Sequence, residues 1–200
     1  LECFFAVPMM GAVLHTINIR LSPEQLLYTI NHAEDDVILV FAEFLPMLEA
    51  IRDQIKTVKK FILLTDGERP ETSLALAGEY EELLAGSGDH YDFPDLDENT
   101  MATTFYTTGT TGKPKGAILT HQNLIHDARN IINIWKISES DVLCHALPLF
   151  HVHGLFVALH CALLGGSRVL FMPRFDLPTV IAALPQAMSN PTPTTETSSR

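Results

Sequence analysis

The sequence is poor in cysteine and in basic residues. Its three cysteines, Cys3, Cys144 and Cys161, include no C-x-x-C pair. Neither a disulfide framework nor a zinc site is therefore indicated, and a reducing compartment, the cytoplasm, is expected. Lysine and arginine number 13 against 24 acidic residues, for a formal net charge of −11. That balance disfavours nucleic acid and anionic membranes as partners, because both are bound through basic patches.

Long apolar runs are also missing. No uninterrupted run reaches the ~18 apolar residues of a membrane-spanning helix, so no transmembrane segment is expected. The chain does not begin with methionine, and no basic stretch precedes its first apolar residues. This start lacks the pattern of a secretory signal. It is typical of a helix entered from upstream, and we expect the chain to be a fragment.

The chain does contain enough apolar residues for a core, at 46% of 200 residues. Short β-branched apolar runs alternate with helical patterns, and no internal repeat interrupts them. This order is typical of an α/β fold, in which a layered sheet with strands buried on both faces has flanking helices. The strands are predicted at 37–41, 60–64, 102–106, 117–121, 142–147 and 168–172. The helices are predicted at 4–14, 22–34, 43–55, 77–86, 123–135, 153–164 and 177–187.

A few segments carry stronger local signals. Ser22, Pro23 and Gln25 form a capping-box start for the second helix. Residues 86–99 are acidic and rich in turn formers, which predicts a surface connection. Residues 188–200 are mostly Ser, Thr and Pro, which predicts a disordered tail. Trp135, on an amphipathic helix, is expected in the core.

The sequence YTTGTTGKPKG occupies residues 106–116. Its glycines leave backbone N–H groups unshielded, its threonines add hydroxyl donors, and its lysines supply positive charge, a combination that suits a polyphosphate. An ordinary hairpin turn is the alternative. Five positions after Gly109 stands Pro114, so the G-x-x-x-x-G-K nucleotide loop is excluded. The candidate residues are Thr107, Thr108, Gly109, Thr110, Thr111, Gly112, Lys113, Lys115 and Gly116.

This stretch resembles the [YF]-T-[ST]-G-[ST]-T-G-x-P-K-G signature of adenylate-forming enzymes, which include acyl-CoA synthetases, aryl-CoA ligases and luciferases. All eleven positions match. Downstream, LPLFHVHGL at 147–155 is similar to the aromatic-His segment of that superfamily, and residues 11–40 resemble its upstream part. The resemblance covers about 4–187. It implies a partial AMP-binding N-terminal domain over 1–187, followed by the tail at 188–200.

The resemblance also implies a function: ATP-dependent activation of a carboxylic acid to acyl-AMP, then transfer to coenzyme A. It assigns the ATP phosphates to Thr107, Thr108, Gly109, Thr110, Thr111 and Gly112, with Lys115 in support, and it gives no certain catalytic residue. Such enzymes use Mg, whose ligand lies in a Y-G-x-T-E segment that this chain does not contain, nor does it contain the S-T-G-D segment that holds the ribose. Acid, ATP and coenzyme A are the implied partners, and no protein partner is indicated.

Among the histidines, the resemblance singles out His151, after Phe150, at the border of the acyl site. The alternative is that His151 and His153 are packed residues at a turn that Gly154 permits. A metal at the two histidines is disfavoured, because no Cys or carboxylate cluster completes a site. Six others carry no visible signal: His15, His32, His90, His126, His145 and His160.

The sequence leaves open which acid is the substrate and whether this chain is active alone. Residues 15–25 look like those of fatty acyl-CoA synthetases, whereas 146–176 look more like malonyl-CoA synthetases, and a fatty acid is weakly favoured. Three interpretations compete. The chain is a piece of a ligase that is inactive alone, a catalytically dead remnant that binds nucleotide or a partner, or a structural α/β domain whose loop is incidental.

Overall fold

A computed structural model of the protein describes residues 1–107 and 113–188. The chain divides into two units, Leu1–His121 and Gln122–Arg200, and each is described by itself. The predicted loop residues Thr108, Gly109, Thr110, Thr111 and Gly112 lie outside the described residues, as do positions 189–200 of the predicted tail. Met188, which was predicted to open that tail, is instead the last residue of a helix.

The first unit holds two sheets of three strands. One contains β1 (Leu14–Thr16), β5 (Met101–Thr107) and β6 (Lys115–Thr120), in the order β1-β5-β6. Strand β5 pairs in parallel with β1 and antiparallel with β6. Strands β5 and β6 therefore form the two arms of a hairpin. The Thr103 hydroxyl donates to the Leu14 carbonyl at 2.8 Å, which ties β1 to the central strand.

The other sheet is wholly parallel, in the order β2 (Val37–Phe41), β3 (Lys60–Leu64) and β4 (Leu76–Glu79). Its core lies against α2 (Pro23–Ala33), whose Ile30 is fully buried with Leu63 of β3. The helix begins as predicted: the Gln25 N–H donates to the Ser22 hydroxyl and the Ser22 N–H donates to the Gln25 side chain. Minor helices in this unit are α1 (Cys3–Met9), α3 (Leu45–Glu49) and α4 (Tyr80–Ala85).

The second unit pairs β7 (Val142–His145) with β8 (Arg168–Phe171) in parallel. Between them the chain runs through a π-helical segment, His153–Leu159, directly into α6 (His160–Leu164). Leu155, Leu159 and Cys161 are its most buried side chains. The remaining helices are α5 (His121–Trp135), which opens at the last residue of the first unit, and α7 (Leu177–Met188).

The α/β class and all six predicted strands are confirmed, but several details of the prediction are wrong. Strand burial is greater on one face, since Ile38 and Val40 are buried whereas Val37 and Phe41 are exposed. The helix expected at 43–55 is three short pieces, with Pro46 in the first turn of α3. Trp135 is 61% exposed and is not a core residue.

Two further corrections concern element type. The buried helix expected at 4–14 ends at Met9 and buries none of its residues, and Gly11, at φ +85°, turns the chain between this helix and β1. Of the helix expected at 77–86, the first residues belong to β4, and the Glu79 carboxylate then caps α4 by accepting from the Glu82 N–H. No helix within 1–107 or 113–188 has the length and apolar character needed to cross a membrane.

Candidate functional site

The structure places the two ends of the predicted phosphate segment opposite each other. Thr107 is the last residue of β5 and Lys115 is the first of β6, and the two are antiparallel partners. Both are exposed. The other predicted phosphate residues, 108–112, lie outside the described part of the chain. The described residues thus confirm two strands flanking the segment, with a hydroxyl and an ammonium group at its base.

The next pair of the hairpin shows why its last glycine is needed. Gly116 lies opposite Tyr106, and a Cβ on Gly116 would stand 3.2 Å from Cζ of the Tyr106 ring and 3.4 Å from its hydroxyl oxygen. The Tyr106 ring therefore folds across the hairpin onto bare backbone. That Gly116 exposes an N–H to an anion stays a prediction, and the structure shows in addition that this glycine leaves room for the Tyr106 ring.

Tyr106 is surrounded by three side chains that the sequence did not single out. Its hydroxyl lies 2.7 Å from Nδ1 of His32, and its ring centroid lies 5.2 Å from that of His15 and 6.5 Å, edge-on, from that of Tyr28. We call these four residues the Tyr106 cluster. Burial, then the neighbouring Tyr28 and Asp35, raise the pKa of Tyr106, so the phenol stays neutral and able to hydrogen-bond.

A carboxylate fixes one member of the Tyr106 cluster. Nδ1 of His15 lies 2.9 Å from both carboxylate oxygens of Asp35, and the two side chains are only 7% and 11% exposed. Because a carboxylate only accepts, Nδ1 of His15 carries the proton and donates it. This pair orients the His15 ring beside Tyr106 and satisfies two nearly buried polar groups.

Lys113 extends the arrangement to the other end of the segment. Its ammonium lies 5.3 Å from the centroid of the Tyr28 ring, a cation–π contact worth about 0.5–1 kcal/mol at an exposed site. An open groove of about 910 Å³ lies alongside. Its polar lining comes from α2, from the N-cap residue of that helix and from the lysine: Ser22, Glu24, Gln25, Tyr28, Asn31, His32 and Lys113. The groove therefore combines hydrogen-bonding groups with one ammonium, that of Lys113, and one carboxylate, that of Glu24.

His151 lies in the second unit, in the turn before the π-helical segment. It is exposed, and its ring centroid is 4.4 Å from that of Phe150. The backbone N–H of His151 donates to the Pro148 carbonyl. His153 is exposed too, so the alternative that both histidines are packed residues is wrong. Among the described residues no group of three or more His, Cys, Asp or Glu side chains could hold a metal ion.

A buried histidine, His145, holds the turn that carries His151. It is 2% exposed and its ring stacks on Phe171. The Leu147 N–H donates to its Nδ1, so the proton sits on Nε2, which donates to the Gly154 carbonyl at 2.9 Å. Gly154 is required here, because a Cβ would stand 2.3 Å from the Pro148 carbonyl oxygen. The sequence offered a partial signal, since His145 ends a strand just before the aromatic-His segment.

Comparison with known proteins finds a matching family and similar proteins. Residues 1–198 match the AMP-binding enzyme family. The chain is 44% identical over 178 residues to a long-chain-fatty-acid–CoA ligase of Thermus thermophilus, covering 88% of this chain and 31% of that protein. It is 42% identical over 175 residues to a 3-methylmercaptopropionyl-CoA ligase of Ruegeria lacuscaerulensis, covering 85% of this chain and 32% of that protein.

Solved structures give the same result. Apo MatB from Rhodopseudomonas palustris superposes with a TM-score of 0.78 at 28% identity, covering 92% of this chain and 34% of that one. The chain spans about a third of the length of the curated relatives it matches.

Proposed function

The chain belongs to the AMP-binding enzyme family, and from that premise we propose that it supplies the pyrophosphate-holding part of an ATP-dependent acyl-CoA synthetase. In that reaction a carboxylate attacks the α-phosphorus of ATP, which gives acyl-AMP and releases pyrophosphate. The thiol of coenzyme A then displaces AMP. The observation that carries the proposal is the complete signature at 106–116, set on an antiparallel hairpin with Thr107 opposite Lys115.

The physical task is to bring two anions together. Carboxylate and triphosphate repel, and negative charge grows on the departing pyrophosphate. Preorganised donors aimed at that charge lower the barrier most where water is excluded. We assign this task to the backbone N–H groups and hydroxyls of 107–112, with the Lys115 ammonium in support. Only 18% of the chain is charged and its net charge is −11, so the protein as a whole does not attract an anion. The phosphates would therefore be bound by this local group of donors.

The acyl side of the reaction is assigned to His151. Its exposed ring beside Phe150 would border the bound acid and control access of the thiol. A fatty acid is the proposed substrate, because the relatives include long-chain and medium-chain fatty-acid–CoA ligases at 44% and 37% identity. Malonate is the alternative acid, on the likeness of residues 146–176. Magnesium is assigned no ligand in this chain, and no step is derived through it.

We further propose that the 200-residue chain does not adenylate by itself, because it contains neither the Y-G-x-T-E nor the S-T-G-D segment of the superfamily. It should still distinguish ATP from AMP, since these differ in the two phosphates that the hairpin would hold. Loss of catalysis with retained phosphate binding is also what a nucleotide-binding remnant would show. Pyrophosphate exchange measured with a fatty acid and with malonate tests the proposed inactivity, which exchange by this chain would overturn.

Binding of ATP, pyrophosphate and AMP by isothermal titration calorimetry tests the hairpin assignment. We expect Lys115→Ala to weaken the affinity for ATP and for pyrophosphate by about tenfold, because one charge-assisted hydrogen bond is lost. The affinity for AMP should be unchanged. Lys60→Ala is the matched control, since Lys60 is also exposed and also opens a strand. Equal affinity of the unmodified chain for ATP and AMP would remove the basis of the proposal.

A further inference from the structure

The base of the phosphate hairpin is held from several directions by side chains distant in sequence. We infer that the Tyr106 cluster is a positioning cluster, which fixes the hairpin base against α2 and β1 in the geometry that phosphate binding requires. This inference rests on the proposed function of the hairpin. None of its members is a motif residue with an assigned phosphate contact, and the cluster acts through Thr107, the neighbour of Tyr106.

Two contacts restrict the end of the Tyr106 ring. The end of the ring lies against Gly116, close enough that a single methyl group would displace it. At its tip the hydroxyl lies 2.7 Å from Nδ1 of His32. Displacing the end of the Tyr106 ring would lose one of these contacts, so together they help to hold the last residues of β5.

His15, a neighbour of Tyr106 in the cluster, is also held in place. His15 touches the Tyr106 ring and is itself fixed by the Asp35 carboxylate, with 2.9 Å to each oxygen. His15 belongs to β1, which pairs with β5 two residues away at Thr104. Backbone pairing and side-chain contact therefore hold the same stretch of β5, which indicates that its position is specified and not incidental.

The other end of the segment meets the same helix. Lys113 lies over the ring of Tyr28, and the centroid of that ring is 5.1 Å from that of His32, one turn later in α2, with the two rings tilted by 33°. One helix thus contacts the chain just before and just after the phosphate segment. Holding both ends reduces the conformational freedom that would be lost when a polyphosphate binds, and such preorganisation improves affinity without a new contact to the ligand.

These contacts predict that substitutions in the cluster weaken the binding of ATP and pyrophosphate but not of AMP. Replacing His32 by Leu removes the partner of the Tyr106 hydroxyl, whereas His32→Asn keeps a side chain that can donate or accept near the place of Nδ1. We expect His32→Leu and Tyr106→Phe to weaken ATP and pyrophosphate by about fivefold, the value of one hydrogen bond. AMP affinity should be unchanged, and His32→Asn should restore most of the ATP affinity. His90→Leu and Tyr91→Phe, on the exposed connection, are the matched controls.

A ligand-free measurement reports on the hairpin base itself. Trypsin cuts after Lys115 but not between Lys113 and Pro114, so cleavage at Lys115 measures opening of the β5–β6 base. We expect His32→Leu and Tyr106→Phe to speed that cleavage several-fold with an unchanged melting temperature, and His32→Asn to slow it again. Hydrogen exchange at the amides of Tyr106 and Gly116 should change in parallel.

The outcomes are distinct. If the unmodified chain prefers ATP to AMP and the variants keep both that preference and slow cleavage, the inference is wrong and the proposed function stands. If the unmodified chain shows no preference for ATP or pyrophosphate, the proposed function fails, and the positioning role in phosphate binding fails with it. Equal losses of ATP and AMP affinity in His32→Leu would also overturn the inference, because they would show a general structural defect.

Discussion

Each unit carries a candidate functional group on a segment held by a histidine, but the two segments are held by different kinds of contact. The base of the phosphate hairpin depends on side chains far apart in sequence, such as His32 and Tyr106, 74 positions apart. The turn before His151 depends on neighbours: His145 reaches the Gly154 carbonyl nine positions away and the Leu147 N–H two positions away. We therefore expect substitutions in the two segments to have different consequences.

The difference is clearest at the glycines. Gly154 faces the backbone oxygen of Pro148, which cannot move without opening the turn, whereas Gly116 faces the end of a tyrosine ring. A methyl group at Gly154 therefore disturbs the main chain, and one at Gly116 disturbs a side chain. Alanine substitutions at the two glycines test this contrast.

Gly154→Ala should give the largest effect. A Cβ at 2.3 Å from a carbonyl oxygen forces the backbone apart, and we expect a loss of about 3 kcal/mol in unfolding free energy, as for severe overpacking. The sign is informative, because alanine would otherwise stabilise a helical position by about 1 kcal/mol. Urea denaturation followed by circular dichroism measures it, and hydrogen exchange assigns the loss to the second unit.

Gly67→Ala is the control for that change, since nothing lies within 4 Å of the Cβ it would add. It should alter stability by less than about 0.5 kcal/mol. A Gly154→Ala variant as stable as this control would show that the Pro148–Gly154 approach is not required for the turn.

Gly116→Ala should have a smaller and more specific effect. The Tyr106 ring must shift by some tenths of an ångström, which we expect to cost about 1 kcal/mol in stability. The pKa of Tyr106, raised by its burial, should fall towards its ordinary value as the ring becomes more exposed. Ultraviolet titration of the phenol and denaturation of the same variant measure the two quantities.

A double-mutant cycle with Tyr106→Ala assigns the cause of the Gly116→Ala effect. If the ring is the obstacle, Gly116→Ala should be neutral or slightly stabilising once the ring is gone, since alanine is at least as good as glycine in a strand. An unchanged loss in the Tyr106→Ala background would mean that backbone, and not the ring, sets the requirement for glycine.

The same contrast explains what the sequence could and could not predict. The capping box of Ser22 and Gln25, the strands flanking the phosphate segment and the glycine at 154 follow from local patterns, and the structure confirms them. The partnership of His32 with Tyr106 had no signal, because each residue is ordinary in its own surroundings. The hydrogen bond exists only once α2 is folded beside the end of β5.

The wrong element assignments have a related cause. Leu76–Glu79 contains helix formers and precedes a helix, but it pairs with β3 in the structure. Sheet pairing with a distant partner overrode local propensity there. At 43–55 the apolar spacing is helical, but Pro46 starts a new helix at Leu45, so the pattern is divided among short elements.

The smallest expected effect is a pH dependence in the second unit. Burial lowers the pKa of His160, so the folded chain resists protonation there more than the unfolded chain, in which a histidine titrates near pH ~6.5. The folded state then binds fewer protons, and stability should be constant above that pH and decrease as the pH falls below it. Denaturation at pH 7.5 and pH 5.5 measures the decrease. His160→Gln should reduce it, whereas His126→Gln, on an exposed position of α5, should leave it unchanged; equal slopes in all three chains would show that His160 is not linked to folding.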